Sequence, residues 1–203
     1  MAAVRLGLFG GTFDPPHLGH LVVAQDAAER LGLDRLIFVV AGLPPHKLRE
    51  RLSPARVRLE MVRAAVKGNP LFEASAVEVD RSGPTYTVDT LRRFRAMHPE
   101  ARLFFLMGAD QLEEFRDWKE PESIASLATV VAMTREGSGG EGPLGPVPPV
   151  GPPMGIIQLP VTRMDLSSTD VRDRVREGRS VQYLVPREVL RIIEDQGLYR
   201  SIS

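Results

Sequence analysis

The sequence predicts an α/β protein: a doubly wound, mostly parallel sheet with helices on both faces. Three observations predict it. Short apolar runs alternate with segments of helical periodicity along the chain. The runs are nearly unbroken, as in strands covered on both sides. The loops that follow them hold the glycines, histidines and acidic residues, and in such a sheet those loops converge on one crevice beyond the carboxyl ends of the strands.

Residues 4–9 form the first apolar run and end in Gly10-Gly11, which reads as a buried strand and a tight turn. Leu21, Ala24, Ala28 and Leu31 then recur at helical spacing, with Gly32 placed to close that helix. Residues 36–40 form a second strand, followed by a loop carrying Pro44-Pro45-His46-Lys47. Ser53-Pro54 opens the next helix, with Ser53 as its cap, Pro54 in its first turn and an apolar face of Val57, Met61, Ala64 and Ala65. Residues 72–79 are a third strand, leading through Gly83-Pro84-Thr85-Tyr86-Thr87 into a helix that includes Leu91 and Phe94. Residues 103–107 form a fourth strand that stops at Gly108-Ala109-Asp110. Residues 129–133 and 156–159 are the fifth and sixth. Helices near 169–177 and 186–196 end the chain.

Composition bounds the function. A chain of 203 residues suits one domain spanning residues 1–203, large enough to bury its own core. It has no cysteine, which excludes a disulfide framework, a thiolate metal site and a cysteine nucleophile. Twenty-six Lys+Arg balance 26 Asp+Glu, so the broad basic footprint of a nucleic-acid binder is missing. The longest apolar stretch, near residues 36–43, is too short to span a bilayer, and the start of the chain lacks the pattern of a secretory signal. A cytoplasmic protein is expected, acting on small molecules rather than on nucleic acid or membrane; a homo-oligomer is compatible with the sequence. Glycine and proline fill 13 of the 19 positions from 137 to 155, which reads as a mobile loop, more simply a passive insertion than a lid.

The most specific stretch is Gly10-Gly11-Thr12-Phe13-Asp14-Pro15-Pro16-His17-Leu18-Gly19-His20, after the first strand and at the start of the first helix. The glycine pair allows a sharp bend and close approach of a ligand to bare N–H groups. Three residues apart, His17 and His20 share one face of the first turn. Unpaired N–H groups, the positive end of the helix dipole and two imidazoles make a polyphosphate site. This stretch is neither a Gly-x-Gly-x-x-Gly dinucleotide motif nor a Walker loop, since no Gly-Lys-Ser/Thr follows it. A zinc reading, with Asp14 or His46 beside the two histidines, lacks a convincing third ligand.

A second constellation, Leu166-Ser167-Ser168-Thr169-Asp170-Val171-Arg172, sets hydroxyls ahead of a helix and an arginine one turn into it. Hydroxyls alone would be a cap. With Arg172 reaching back over the same helix start they make a second phosphate site, asking for the same ligand as the first.

These two motifs resemble those of the nucleotidyltransferase α/β phosphodiesterase superfamily, whose fold is Rossmann-like. Leu166 stands where that pattern begins with isoleucine. Within the superfamily the chain looks like the bacterial nicotinate-nucleotide adenylyltransferases. Pro44-Pro45-His46-Lys47 resembles their acceptor-phosphate loop. Pro84-Thr85-Tyr86-Thr87 followed by Asp89-Thr90-Leu91 resembles their nicotinate-side segment, and Gly108-Ala109-Asp110 with Trp118 their Gly-x-Asp loop and stacking tryptophan. The ending Gly197-Leu198-Tyr199-Arg200 also matches; residues 137–155 match nothing.

The resemblance implies transfer of an adenylyl group from ATP to nicotinate mononucleotide, with Mg²⁺ carried by the ATP phosphates and no metal site of the protein's own. His17, His20 and Arg172 are the implied catalytic residues. ATP would be held by those three with Gly10, Gly11, Thr12, Phe13, Gly19, Gly108, Asp110, Ser168 and Thr169. The acceptor would be held by Asp14, His46, Lys47, Thr87 and Trp118. Nicotinamide mononucleotide and phosphopantetheine are the alternative acceptors; a nucleotide-binding regulator without turnover is the alternative of another class.

Overall fold

The computed structural model describes residues 3–43, 52–135 and 156–200. Its centre is a six-stranded, wholly parallel sheet of order β3-β2-β1-β4-β5-β6. The strands are β1 (Arg5–Gly11), β2 (Arg35–Val40), β3 (Phe72–Ser75), β4 (Arg102–Gly108), β5 (Thr129–Arg135) and β6 (Ile157–Val161). The chain steps outward from β1 to β3, returns to place β4 on the other side of β1, and steps outward again. The strand order therefore reverses between β1 and β4, where Leu8 pairs with Phe105. In open parallel sheets that reversal is where the crevice for a ligand forms.

Side-chain alternation along each strand feeds two cores, one on each face. Phe9 of β1, Phe38 of β2 and Phe104 of β4 pack with helices α1 (Leu18–Arg30) and α2 (Ala55–Val66). Leu8, Val39 and Phe105, one position on in each strand or one back, pack on the opposite face with α3 (Thr87–Met97) and α5 (Pro121–Leu127). A third cluster joins α2 to the final helices α6 (Ser168–Arg176) and α7 (Arg187–Asp195) through Met61, Val171, Val189 and Ile193.

Helix α2 is thus buried on two sides. Leu59, Val62 and Val66 face the sheet, and the expected stripe of Val57, Met61, Ala64 and Ala65 faces α6 and α7. Its cap is Pro54, one residue later than expected, because the Pro54 C=O accepts the first helical N–H groups, those of Val57 at 2.9 Å and Arg58 at 3.1 Å. Gly32, at φ +56°, follows the end of α1 as expected. Strand β3 stops at Ser75 rather than at residue 79, because Ala76 to Asp80 fold into a turn closed by Asp80 N–H to Ala76 C=O. The short α4 (Asp110–Glu114), the 3₁₀ turn Phe115–Asp117 and α5 are elements that no periodicity announced. The Gly/Pro-rich stretch at 137–155 lies outside the described residues. Among the described residues no helix is long and apolar enough to cross a membrane.

Candidate active site

Helix α1 begins directly beyond β1, with His17 as its extended N-cap and His20 at its third position. The two imidazoles stack, with centroids 3.7 Å apart and planes 28° from parallel. The His17 N–H donates to Nδ1 of His20 at 3.1 Å. A neutral imidazole accepting at Nδ1 must carry its proton on Nε2, so His20 is set as an Nε2–H donor. The edge of the Phe13 ring lies 5.1 Å from His20 between centroids. Burial in this apolar setting lowers the His17 pKa to about 4, opposed by the charge of Asp170. His20 is pushed well below its ordinary value by burial and by its neighbour His17. Both rings are neutral at pH 7. Nδ1 of His17 is buried with no hydrogen-bond partner among the described residues. A Cβ added at Gly19 would sit 3.0 Å from that nitrogen, so glycine there gives His17 its room.

Two expectations for the first motif change. The first-turn N–H groups of α1 are mostly occupied: that of Leu18 donates to Leu184 C=O at 2.9 Å and that of His20 to His17 C=O at 3.0 Å. The Gly11 side-chain space is filled by the Phe13 ring, 2.7 Å from where a Cβ would stand. Phe13 itself has φ +50° and is 2% exposed, so its ring belongs to the core and only its backbone could meet a ligand.

The second motif folds onto the first. Ser167, rather than Ser168 or Thr169, caps α6: its Oγ accepts the Asp170 N–H at 3.1 Å, and Asp170 returns the contact by accepting the Ser167 N–H. Ser168 is free to donate its hydroxyl to Pro15 C=O at 2.9 Å. Arg172 donates to Asp14 C=O at 2.8 Å and to the Thr169 hydroxyl at 3.1 Å. Residues some 150 positions apart are thereby joined in one cluster beyond the end of β1.

Asp14 is buried and is not part of the cavity wall described below. It is 2% exposed; one carboxylate oxygen accepts the Tyr199 hydroxyl at 2.6 Å and the other the Ser53 N–H. The acceptor role expected of it gives way to an architectural one. Beneath it lies Arg58, 1% exposed, whose guanidinium donates to the carbonyls of Thr12, Ala41, Gly42 and Ser53. Burial lowers the Arg58 pKa, and the charge of Asp14 draws it back up. A buried cation holding four carbonyls fixes the turns after β1 and β2 together.

Beside this cluster opens a cavity of about 640 Å³, a size that suits a nucleotide. Gly10, Gly11 and Thr12 form part of one wall; Thr85, Thr87 and Trp118 form part of another. Trp118 is half-buried, its ring packed against Phe105 and Phe115 with centroids 6.0 and 5.6 Å away. Asp110 also lines the cavity, and its carboxylate lies so close to Gly108 that it would have to move for a side chain to stand there. His17, His20, Ser168, Thr169 and Arg172 are outside this wall, in the adjacent cluster. His46 and Lys47 lie outside the described residues.

The sequence reading missed several groups. Glu78, 8% exposed, lines the cavity and accepts the Thr90 hydroxyl at 2.7 Å. Thr85, 5% exposed, has a buried hydroxyl with no hydrogen-bond partner among the described residues. Lys119 reaches the same cavity. Thr85 and Thr90 flank the predicted Thr87, which was the available signal; nothing in the pattern marks Glu78. Among the described residues, no three His, Asp or Glu side chains converge to hold a metal ion.

A parallel sheet with two phosphate-type motifs joined at its switch point defines a nucleotide-handling α/β protein, and the chain belongs to the cytidylyltransferase-like family, whose model matches residues 8–174. Its relatives narrow that membership to the nicotinate-nucleotide adenylyltransferases. A probable member from Thermus thermophilus is 48% identical over 197 residues, covering 97% of this chain and all of that one. One from Thermomicrobium roseum is 44% identical over 199 residues, covering 98% and 93%. In three dimensions the chain resembles the Plasmodium falciparum nicotinic acid mononucleotide adenylyltransferase complexed with NaAD, with a TM-score of 0.75 over 97% of each chain. At 16% identity that likeness is one of fold.

Proposed function

We propose that this chain transfers the adenylyl group of ATP to nicotinate mononucleotide in the cytoplasm, forming nicotinate adenine dinucleotide and releasing pyrophosphate for NAD biosynthesis. The observation that carries this reading is the juxtaposition of the His17–His20–Arg172 cluster with a nucleotide-sized cavity walled by Thr87 and Trp118.

The acceptor phosphate is already anionic at neutral pH, so no general base is needed. One of its oxygens attacks the α-phosphorus of ATP. As that bond forms, the bond from the α-phosphorus to the bridging oxygen breaks in line, and pyrophosphate leaves with the electron pair. Catalysis is then positioning and stabilisation of negative charge. The Nε2–H of His20 would donate to an α- or β-phosphate oxygen, its direction held by the His17 N–H at its other nitrogen. Being neutral, it binds by hydrogen bonding through that one N–H and brings no net charge of its own. Arg172 would hold the departing pyrophosphate, together with the Ser168 and Thr169 N–H groups at the start of α6. A divalent ion, Mg²⁺ in our reading, would arrive on the triphosphate and offset its charge, because the described residues offer it no cage.

At the acceptor end, Trp118 would stack on the pyridine ring, worth about 0.5–1.5 kcal/mol beyond area burial. The Thr87 hydroxyl at the start of α3 would meet the carboxylate. The test is pyrophosphate release with ATP and, in turn, nicotinate mononucleotide, nicotinamide mononucleotide and phosphopantetheine. The acid nucleotide is expected to be the fastest. Preference for phosphopantetheine, or equal turnover of acid and amide, would overturn the acceptor assignment; no release with any of them would overturn adenylyl transfer itself.

A further inference from the structure

The charged side chains around the cavity are unequally divided. Glu78, Asp110, Glu114 and Asp117 all line it, and Lys119 is the only lysine or arginine among the described residues that does so. An acceptor carrying a carboxylate on its ring therefore enters a wall that repels it, apart from one ammonium group. Lys119 stands where that acid is expected. Its Nζ lies 4.5 Å above the centroid of the Tyr86 ring, and Tyr86 is the cap of α3, whose first residue is Thr87. Lys119 also follows Trp118 directly, so one short segment carries both the ring platform and the charge.

Nζ of Lys119 is 3.3 Å from Asp89. That contact alone would suggest a tether between the Trp118 segment and α3. Asp89, however, is also approached by Arg81 at 3.6 Å and Arg92 at 3.5 Å. Arg92 is itself held by Glu120 at 2.5 Å, so Arg81 and Arg92 match the two carboxylates Asp89 and Glu120, and Lys119 is the surplus cation of the group.

We infer that Lys119 is a specificity-determining residue of this site, its ammonium favouring an acceptor that bears a carboxylate over one that bears the neutral amide. The inference rests on the adenylyl-transfer reading above and adds the residue that sets its acid preference. The attraction acts through partly screened space, so it weakens with ionic strength.

The experiment measures kcat/KM for nicotinate mononucleotide and for nicotinamide mononucleotide, with ATP saturating, in the unmodified protein and in Lys119→Met, Lys119→Arg and Asp89→Asn. Lys119→Met is expected to lower the acid-to-amide ratio about five- to tenfold, through a higher KM for the acid, with amide kinetics within about twofold of the original. Lys119→Arg should keep the ratio. Asp89→Asn should keep or raise it, since the ammonium loses a competing anion. Raising salt should lower the ratio in the unmodified protein and leave it flat in Lys119→Met. An unchanged ratio in Lys119→Met, or an equal fall in Asp89→Asn as a plain tether requires, overturns the inference while adenylyl transfer to the acid stands. If the unmodified protein does not use the acid nucleotide at all, the acceptor reading falls and this inference falls with it.

Discussion

The Tyr199 hydroxyl donates to the Asp14 carboxylate at 2.6 Å, tying the end of the chain to the turn that opens the first motif, 185 positions away. Tyr199 adopts φ +64°, a left-handed conformation that costs energy for a residue with a side chain. The bond to a buried anion offsets that cost. Because Asp14 C=O also accepts from Arg172, the same residue links the final turn, the first motif and the second.

Tyr199→Phe removes that hydroxyl and little else. A hydrogen bond to a buried charged group contributes about 1.5–3 kcal/mol, so the variant is expected to lose that much unfolding free energy in urea titration. A loss below about 0.5 kcal/mol would mean that the clasp does not hold Asp14.

Acid should weaken the protein through its first motif. The pKa of His17 is about 4 in the folded chain, whereas an unfolded histidine titrates near 6.5. Between those values the unfolded chain binds more protons, so stability rises with pH across the window. The contribution is complete above about pH 6.5 and is lost as pH falls toward 4, by about 3 kcal/mol for His17 alone. His20 adds in the same direction. Urea titrations from pH 7.5 to 4.5 should show this decline, and His17→Gln should flatten it by about 2 kcal/mol. Parallel pH profiles for the two proteins would show that His17 is not desolvated.

Two threonines on one cavity wall should respond oppositely. Thr90 donates to the buried Glu78, so Thr90→Val strands a carboxylate oxygen and should cost about 1–3 kcal/mol. The Thr85 hydroxyl is buried without a partner, so Thr85→Val removes a desolvated group that makes no bond and should leave the melting temperature unchanged or higher. A clear fall in Tm for Thr85→Val would mean that its hydroxyl is satisfied in the free protein.

Much of this architecture was legible because it rests on local pattern. Short, mostly apolar runs marked the positions of all six strands, and Gly32 and the Ser167 region marked helix ends. The two motifs stood out because each sets hydrogen-bonding side chains, two histidines in one and hydroxyls with an arginine in the other, at a helix start. What was hidden depends on distant partners. Arg58 occupies a helix whose apolar face was readable, yet only the converging carbonyls of Thr12, Ala41, Gly42 and Ser53 explain a fully buried guanidinium. Asp14 looked like a ligand group because its partners, Ser53 and Tyr199, are far away in sequence. Helices α4 and α5, five and seven residues long, are too short to show a period.

The central claim is that two stacked, neutral imidazoles at the start of α1 stabilise the charge of the transferring phosphate. Steady-state kinetics of His20→Ala with ATP and nicotinate mononucleotide test it most directly. Loss of a donor aimed at transition-state charge should cut kcat by about 10²–10³. The KM for the acceptor should stay within about threefold, because the proposed contact of the imidazole is with the ATP phosphates and not with the pyridine ring. Turnover near that of the unmodified protein, or a rise in acceptor KM with kcat unchanged, would contradict the account.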